Sequence, residues 1–330
     1  MSSVDVIVPC YRYGHFLRQC VESILTQSLK NVRVLIIDDA SPDETAGVAA
    51  ELVKQDCRVT SLRHGTNQGH IYTYNEGIEW ASSDYMLVLS ADDYLLPGSL
   101  SRAVKLLDSH SHVGFVFGNV IELKSADTSG QLQDMVDEGV ASIERILQGL
   151  EFIEMSGADN IVKTPTAIVR TELQKRLGGY RPELPHSGDM EMWLRLAAHG
   201  QVGIVEAYQA VYRRHSANMS NDYCPQYGLP DLQQRKSAFD CFFRTCGDVV
   251  PNAQRLHRKL MWALGSNAVG AASRAFNDGE LGVSALLRVF AVGVCPEIKR
   301  SWRWTKLAMK RCLGPSLVMA YHKNGRRTES

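Results

Sequence analysis

Within the first hundred residues, short β-branched runs alternate with stripes of helical period, and few folds accept that order. The runs VDVIVP (Val4–Pro9) and VRVLII (Val32–Ile37) are apolar from end to end, the pattern of parallel strands buried on both faces. Between them Phe16, Leu17, Cys20, Val21, Ile24 and Leu25 recur at helical spacing and form one apolar stripe. SPDE (Ser41–Glu44) predicts a helix start, with Ser as N-cap, Pro at the first helical position and Glu three residues after the cap. A strand near Arg58–Arg63, a helix through IYTYNEGIEWA, a strand at Tyr85–Leu89, a helix from about Pro97 and a strand at Val113–Phe117 follow. Such β-α-β-α order with short connections predicts a doubly wound α/β sheet with helices on both faces.

Beyond it, the polar stretch from Lys124 to Val140 reads as a surface loop or insertion. The chain resumes with the strand TAIVR, a turn at LGGYRPELP, an amphipathic helix in DMEMWLRLAAHG and the strand-like VGIVEAYQAVYRRH. Past about Pro230 it turns into helices rich in Leu, Ala and Arg. The formal net charge is zero, yet residues 1–230 carry a balance of −10 and residues 231–330 one of +10. An acidic front and a basic tail predict two units with different partners. An apolar fraction of 45% and a charged fraction of 22% exclude the disordered and fibrous classes. None of the eight cysteines forms a C-x-x-C pair, so zinc has no support and the thiols are expected to be reduced. The N-terminus opens directly into a strand without a charged-then-apolar leader. The longest apolar stretch, Leu281 to Pro296, is broken by Arg288 and falls short of the ~20 residues of a membrane span. A cytoplasmic protein is the expectation.

Open α/β sheets bind ligands at the carboxyl ends of their strands. Three such ends carry candidate chemistry: Pro9-Cys10-Tyr11, Asp38-Asp39 and Asp92-Asp93. In YMLVLSADDYLLPG two adjacent carboxylates close a buried strand, which costs stability unless a positive charge meets them. No glycine-rich phosphate cradle follows any strand. A divalent cation on carboxylate oxygens, Mg²⁺ or Mn²⁺, would neutralise both the pair and a phosphate. Each feature also has a plainer reading. Asp38-Asp39 could cap the next helix, Asp92-Asp93 could be a solvated strand end, and Asp189 could be a helix N-cap. Tyr72, Tyr74 and Trp80 read as packing rather than as a platform for a sugar.

Five stretches in order carry a resemblance: VIVPCYRYGHFLRQCVESILTQS, LIIDDASPDET, NQGHIYTYNEGIEWASSDYMLVLSADDYLLPGSL, SGDMEMWLRLAAHG and VYRRHSANMS. From Val4 to about Ser220 the chain resembles the family 2 glycosyltransferases, inverting enzymes of the GT-A fold that use nucleotide sugars. The resemblance implies that Pro9 and Tyr11 pack the donor's base and that Asp39, with Asp38 beside it, hydrogen-bonds a uracil or thymine ring. Asn67, Gly69 and Asn75 stand among the implied nucleotide-sugar contacts. Asp93 would ligate Mn²⁺ or Mg²⁺ under the diphosphate, and Asp92 would touch the ribose or a metal-bound water. Asp189 falls at the catalytic base, with Trp193 and Leu194 one turn on, and His215 where some members supply a further metal ligand. Two departures stand out: Arg12 follows Tyr11 where members often have Asn, and Gly188 precedes Asp189 where Glu is common.

The implied organisation is a GT-A mixed sheet with flanking helices over residues 1–230, with a nucleotide-binding half at about 1–123 and an acceptor-binding half at about 124–230. A basic helical region, 231–330, follows. The implied activity is metal-dependent inverting transfer of a sugar from a UDP- or dTDP-type donor to a hydroxyl of a saccharide or lipid-linked acceptor in surface glycan assembly. Two rivals are a relative that binds sugars without catalysis and a signalling receiver domain. The latter needs a Thr or Ser and then a Lys at later strand ends, where Gly118-Asn119 stands instead. KRSWRWTKLAMKRCLG carries six Lys/Arg, no acid and two Trp. Residues 299–313 could therefore lie on an anionic membrane surface, peripheral on its inner face, or pack on the acidic front. No motif accompanies the charge to suggest a nucleic-acid partner.

Overall fold

β1 (Val4–Cys10) is buried at every position, because it pairs on both edges and is covered on both faces. In this computed structural model, residues 2–124, 144–216, 218–223 and 227–314 are described. The loop expected at Lys124–Val140 falls almost wholly outside them. The first unit comprises Met1–Ile153 and Asn160–Ser216; the second comprises Glu154–Asp159 and Ala217–Ser330.

In the first unit, β1 is flanked by β2 (Val32–Asp38) and β4 (Tyr85–Val88), both parallel to it, with Val4 level with Val32 and with Tyr85. β3 (Val59–Arg63) extends this parallel block beyond β2. The sheet continues through β5 (Tyr94–Leu95), β6 (Val113–Lys124), β7 (Glu144–Leu147), β8 (Ile168–Arg170) and β9 (Gln201–Arg214). Its order is β3-β2-β1-β4-β8-β6-β9-β5, with β7 also on β9. β8 lies antiparallel to β4 and β6, whereas β6 and β9 are parallel, so the sheet is mixed. α1 (Gly14–Leu25) buries the expected stripe, Leu17, Cys20, Val21 and Ile24, against Val6, Val8, Val34 and Ile36. α3 (His70–Trp80) comes so close to β1 that a Cβ on Gly77 would lie 2.3 Å from Ile7 Cγ2. The first residues of the sheet are tied by Asp5, which accepts from Arg33, Ser82 N and Ser83 N. Burial alone would raise its pKa, but these donors outweigh it and hold the carboxyl below its usual range.

Two elements differ from expectation. α2 runs Thr45–Gln55, starting four residues after Ser41. Ser41 is bound to strand ends instead: its N–H donates to Asp38 Oδ1 at 2.8 Å and its Oγ accepts from Arg12 N at 3.1 Å. Asp43 takes over the capping, accepting from Thr45 N and Oγ1 and from Gly14 N at the start of α1. β6 runs on to Lys124 rather than stopping at Phe117, following β9 through register shifts at Gly118 and Asn119. α4 (Ser99–Ser109), α5 (Gly149–Ser156), α6 (Thr171–Leu177) and α7 (Gly188–Ala197) are the remaining α-helices described before α8.

The second unit is helical: α8 (Leu229–Cys246), α9 (Ala253–Asn277), α10 (Leu281–Val294) and α11 (Trp302–Leu313). α9 buries Leu256, Leu260, Leu264 and a run of alanines that lets neighbours approach closely. Ser284 of α10 donates to Ala272 O of α9 at 2.8 Å. Ser301 caps α11 by accepting from Trp304 N. Along α11 only Leu307 is buried, while Trp302, Met309 and Leu313 are exposed. No helix among the described residues is long and apolar enough to cross a membrane. Seven cysteines in the described residues are free thiols.

Candidate active site

β9 brings the cationic end of VYRRH to the paired carboxylates that precede β5. Val211 pairs with Tyr94, so Arg213 falls beside Asp93, and its N–H donates to Asp93 Oδ1 at 3.0 Å. The Arg213 guanidinium donates to Asp92 O and to Gln19 Oε1. It lies over the rings of Phe16 and Tyr94, 4.6 and 4.8 Å from their centroids. His215 Nε2 stands 3.1 Å from Asp92 Oδ2, and its ring meets Tyr13 and Phe16. Sequence reasoning missed Arg213. The signal was the alternation on β9, which puts Val211, Arg213 and His215 on one face.

Asp92 and Asp93 are both buried. Burial, then the like charge of Asp92, pushes the Asp93 carboxyl well above its usual range, although the Arg213 N–H and the charges of Arg213 and Arg214 oppose this. Two carboxylates and an imidazole offer the oxygen and nitrogen donors that Mn²⁺ accepts, although His215 Nε2 here faces Asp92 Oδ2. Among the described residues, the three-ligand group whose atoms lie within 4.8 Å of one another is instead His15, Asp43 and Glu44, and there Asp43 already accepts from Gly14 N and Thr45 N.

Asp39 closes a small ring of hydrogen bonds. Its Oδ1 accepts from Gln68 N at 2.7 Å and its Oδ2 from Gly69 N at 2.9 Å, while Asn67 Nδ2 donates to Asp39 O. Gly69 can end this turn because its φ of 85° suits glycine. Asp38 binds Ser41 N and, through Oδ2, approaches Arg63 Nε at 3.2 Å. Pro9 is buried in β1, and Tyr11 just beyond is 40% exposed with Arg12 over its ring. Asn75 faces elsewhere. Its amide both donates to Tyr180 O and accepts from Tyr180 N, tying α3 to the segment that leads into α7.

Asp189 is the second residue of α7 rather than its N-cap, which is Ser187. It is half-buried; Oδ1 accepts from Met190 N and Oδ2 from Asn160 Nδ2, each at 2.8 Å. Burial raises its pKa against these bonds and against the charge of His186. Two side chains of α3 link Asp189 to the donor-side carboxylates. Tyr74 is pushed up by burial and then by the charges of Asp92, Asp189 and Asp93. His70, held below its usual value by burial, donates to Pro185 O and lies in the fields of both Asp189 and Asp39. Tyr74 also packs, as expected, on His70 and Tyr180. Beneath them α7 is anchored by a fully buried pair, Arg195 with Glu191. Arg195 also donates to the carbonyls of Leu177, Gly178 and Gly179. Trp193 is core, its ring tilted against Phe115 with centroids 5.5 Å apart.

Residues 5–167 match the description of glycosyl transferase family 2. A Mycobacterium tuberculosis protein described as uncharacterized is 27% identical over 65% of this chain and 67% of its own length. A Campylobacter jejuni GalNAc(5)-diNAcBac-PP-undecaprenol beta-1,3-glucosyltransferase is 33% identical over 39% of this chain and 41% of its own length. Among solved structures, Staphylococcus aureus TarS 1–349 with UDP-GlcNAc superposes with a TM-score of 0.67, at 15% identity, over 98% of this chain and 92% of that one. Mannosyltransferase PcManGT from Pyrobaculum calidifontis, with GDP-Man and Mn²⁺, gives 0.55 at 18% identity over 98% and 88%. The receiver-domain reading ends here: residues 5–167 match glycosyl transferase family 2, and the GT-A-like mixed sheet with its helical C-terminal region agrees with that match.

Proposed function

We propose that this chain is a metal-dependent, inverting glycosyltransferase that uses a UDP- or dTDP-type donor. Asp93 and His215 would hold Mn²⁺ or Mg²⁺, with Asp92 toward the ribose or a metal-bound water. Pro9, Tyr11, Asp38, Asp39, Asn67, Gly69 and Asn75 would form or brace the nucleotide-sugar side, within residues 1–123. The observation that carries this reading is the buried Asp92-Asp93 pair, with Asp93 pushed up by burial and like charge. A bound divalent cation there would neutralise charge on the departing diphosphate. Asp189, on the acceptor side, takes the proton of the acceptor hydroxyl as that oxygen bonds to the anomeric carbon and the bond to the diphosphate breaks. Its raised pKa makes the carboxylate a stronger base than an ordinary aspartate.

For the acceptor we propose a saccharide or lipid-linked saccharide in surface glycan assembly. The Campylobacter relative, named for an undecaprenol diphosphate-linked substrate, supports that class. PcManGT, with Mn²⁺ bound, supports the cation. α11 and the residues before it, 299–313, would hold the protein on the inner face of an anionic membrane. Incubating the purified protein with a panel of nucleotide sugars, Mn²⁺ and a polyprenyl-diphosphate saccharide tests the whole reading. Transfer that needs both cation and Asp189 is expected. Donor binding without transfer to any acceptor would favour a sugar-binding relative that has lost catalysis.

A further inference from the structure

His64 follows β3, and its ring bridges two carboxylates. Nδ1 stands 2.7 Å from Asp39 Oδ1, and Nε2 stands 2.7 Å from Glu76 Oε2 on α3. An imidazole donates at both nitrogens only as the imidazolium. Burial works against that charge, yet the bonds to Asp39 and Glu76 outweigh it and the pKa is raised. The edge of Tyr72 closes the remaining side, with ring centroids 5.7 Å apart. Neither His64 nor Glu76 stood out in the sequence.

The consequence lies in how many hydrogen bonds Asp39 can still accept. Each carboxylate oxygen offers two lone pairs. On Oδ1 both are filled, by Gln68 N and His64 Nδ1. On Oδ2 Gly69 N fills one, and no other described residue takes the second.

We infer that His64 determines donor-base specificity: by filling Oδ1 it leaves Asp39 a single acceptor, matched to the one imide N–H of uracil or thymine. Guanine presents N1–H and N2–H side by side, and this pair needs both oxygens of a carboxylate. With Oδ1 taken, guanine leaves one donor unpaired in a desolvated site, a loss that discriminates strongly. The inference rests on the proposal that Asp39 receives the donor's base. His64 acts through Asp39 and is a positioning residue, with Glu76 holding its far side.

The test is calorimetric titration of UDP and of GDP, each with Mn²⁺, into wild type, His64→Ala, His64→Asn and Asp39→Ala. Asn can place an amide N–H where Nδ1 stands, so it keeps the donor without the ring. Wild type is expected to bind UDP at least tenfold tighter than GDP, His64→Asn to keep most of that ratio, and His64→Ala to lose at least fivefold of it. A ratio unchanged in His64→Ala, or lost equally in both variants, would overturn the inference while leaving the donor site intact. Asp39→Ala that still binds UDP like wild type would instead overturn the reading of Asp39 itself, and the inference with it.

Discussion

Arg213 and Asp93, 120 residues apart in the chain, are joined by a backbone N–H···Oδ1 bond of 3.0 Å, while the same arginine's guanidinium reaches the carbonyl of Asp92. One residue thus supplies both a directional bond and a positive charge to the carboxylate pair. That is a partial answer to the electrostatic problem posed by two adjacent buried acids.

Arg213→Met should therefore be costly. It leaves the paired acids without their built-in cation and strips the guanidinium from its place between Phe16 and Tyr94. Losing a hydrogen bond made by a buried charged group costs about 1.5–3 kcal/mol, and two are lost here. A fall in melting temperature, partly restored by Mn²⁺, is expected; a melting temperature within one degree of wild type would show that Arg213 carries no such role.

Asp93 makes the stability depend on pH and metal together. Its folded pKa lies above the unfolded value, so its contribution is fully present below about 3.9 and is lost as pH rises through the folded pKa. A cation that needs the carboxylate binds better as that proton leaves. Thermal stabilisation by Mn²⁺ should grow as pH rises through that folded pKa, and Asp93→Asn should abolish the growth. Equal stabilisation of both proteins across that rise would place the cation elsewhere.

Asp189 must be ionised to act as a base, so turnover should rise with pH through its raised pKa. Asn160 donates to the ionised form, and Asn160→Ala should push that pKa higher and move the acid limb of kcat/KM to higher pH. Asp189→Asn should lower turnover by about 10²–10⁴ and leave nucleotide binding near wild type. An acid limb unmoved by Asn160→Ala, with Asp189→Asn still active, would remove Asp189 from the chemistry.

The exposed Trp302, Met309 and Leu313 of α11, among its Lys and Arg residues, should take the protein to anionic liposomes and release it as salt rises. Truncation after Pro296 should end sedimentation with the vesicles. Equal binding by the truncated chain would place the attraction on another surface.

What the sequence by itself determined is the local alternation. The runs of β1 and β2, the stripe of α1 and the helix of α7 were legible because periods of 2.0 and 3.6 are written in neighbouring residues. Asp39, Asp92, Asp93 and Asp189 were legible as candidates because strand ends and helix starts are local too. The start of α2 was not, since Ser41 is drawn away by Asp38 and Arg12 from two other strand ends. Nor was the length of β6, whose polar second half is kept in the sheet by pairing with β9. Only the tertiary structure brought Arg213 and His215 to the acids and set His64 between Asp39 and Glu76. Those partners depend on which strand lies beside which and in what register, and sheet pairing is decided by burial summed over distant segments rather than by any one of them.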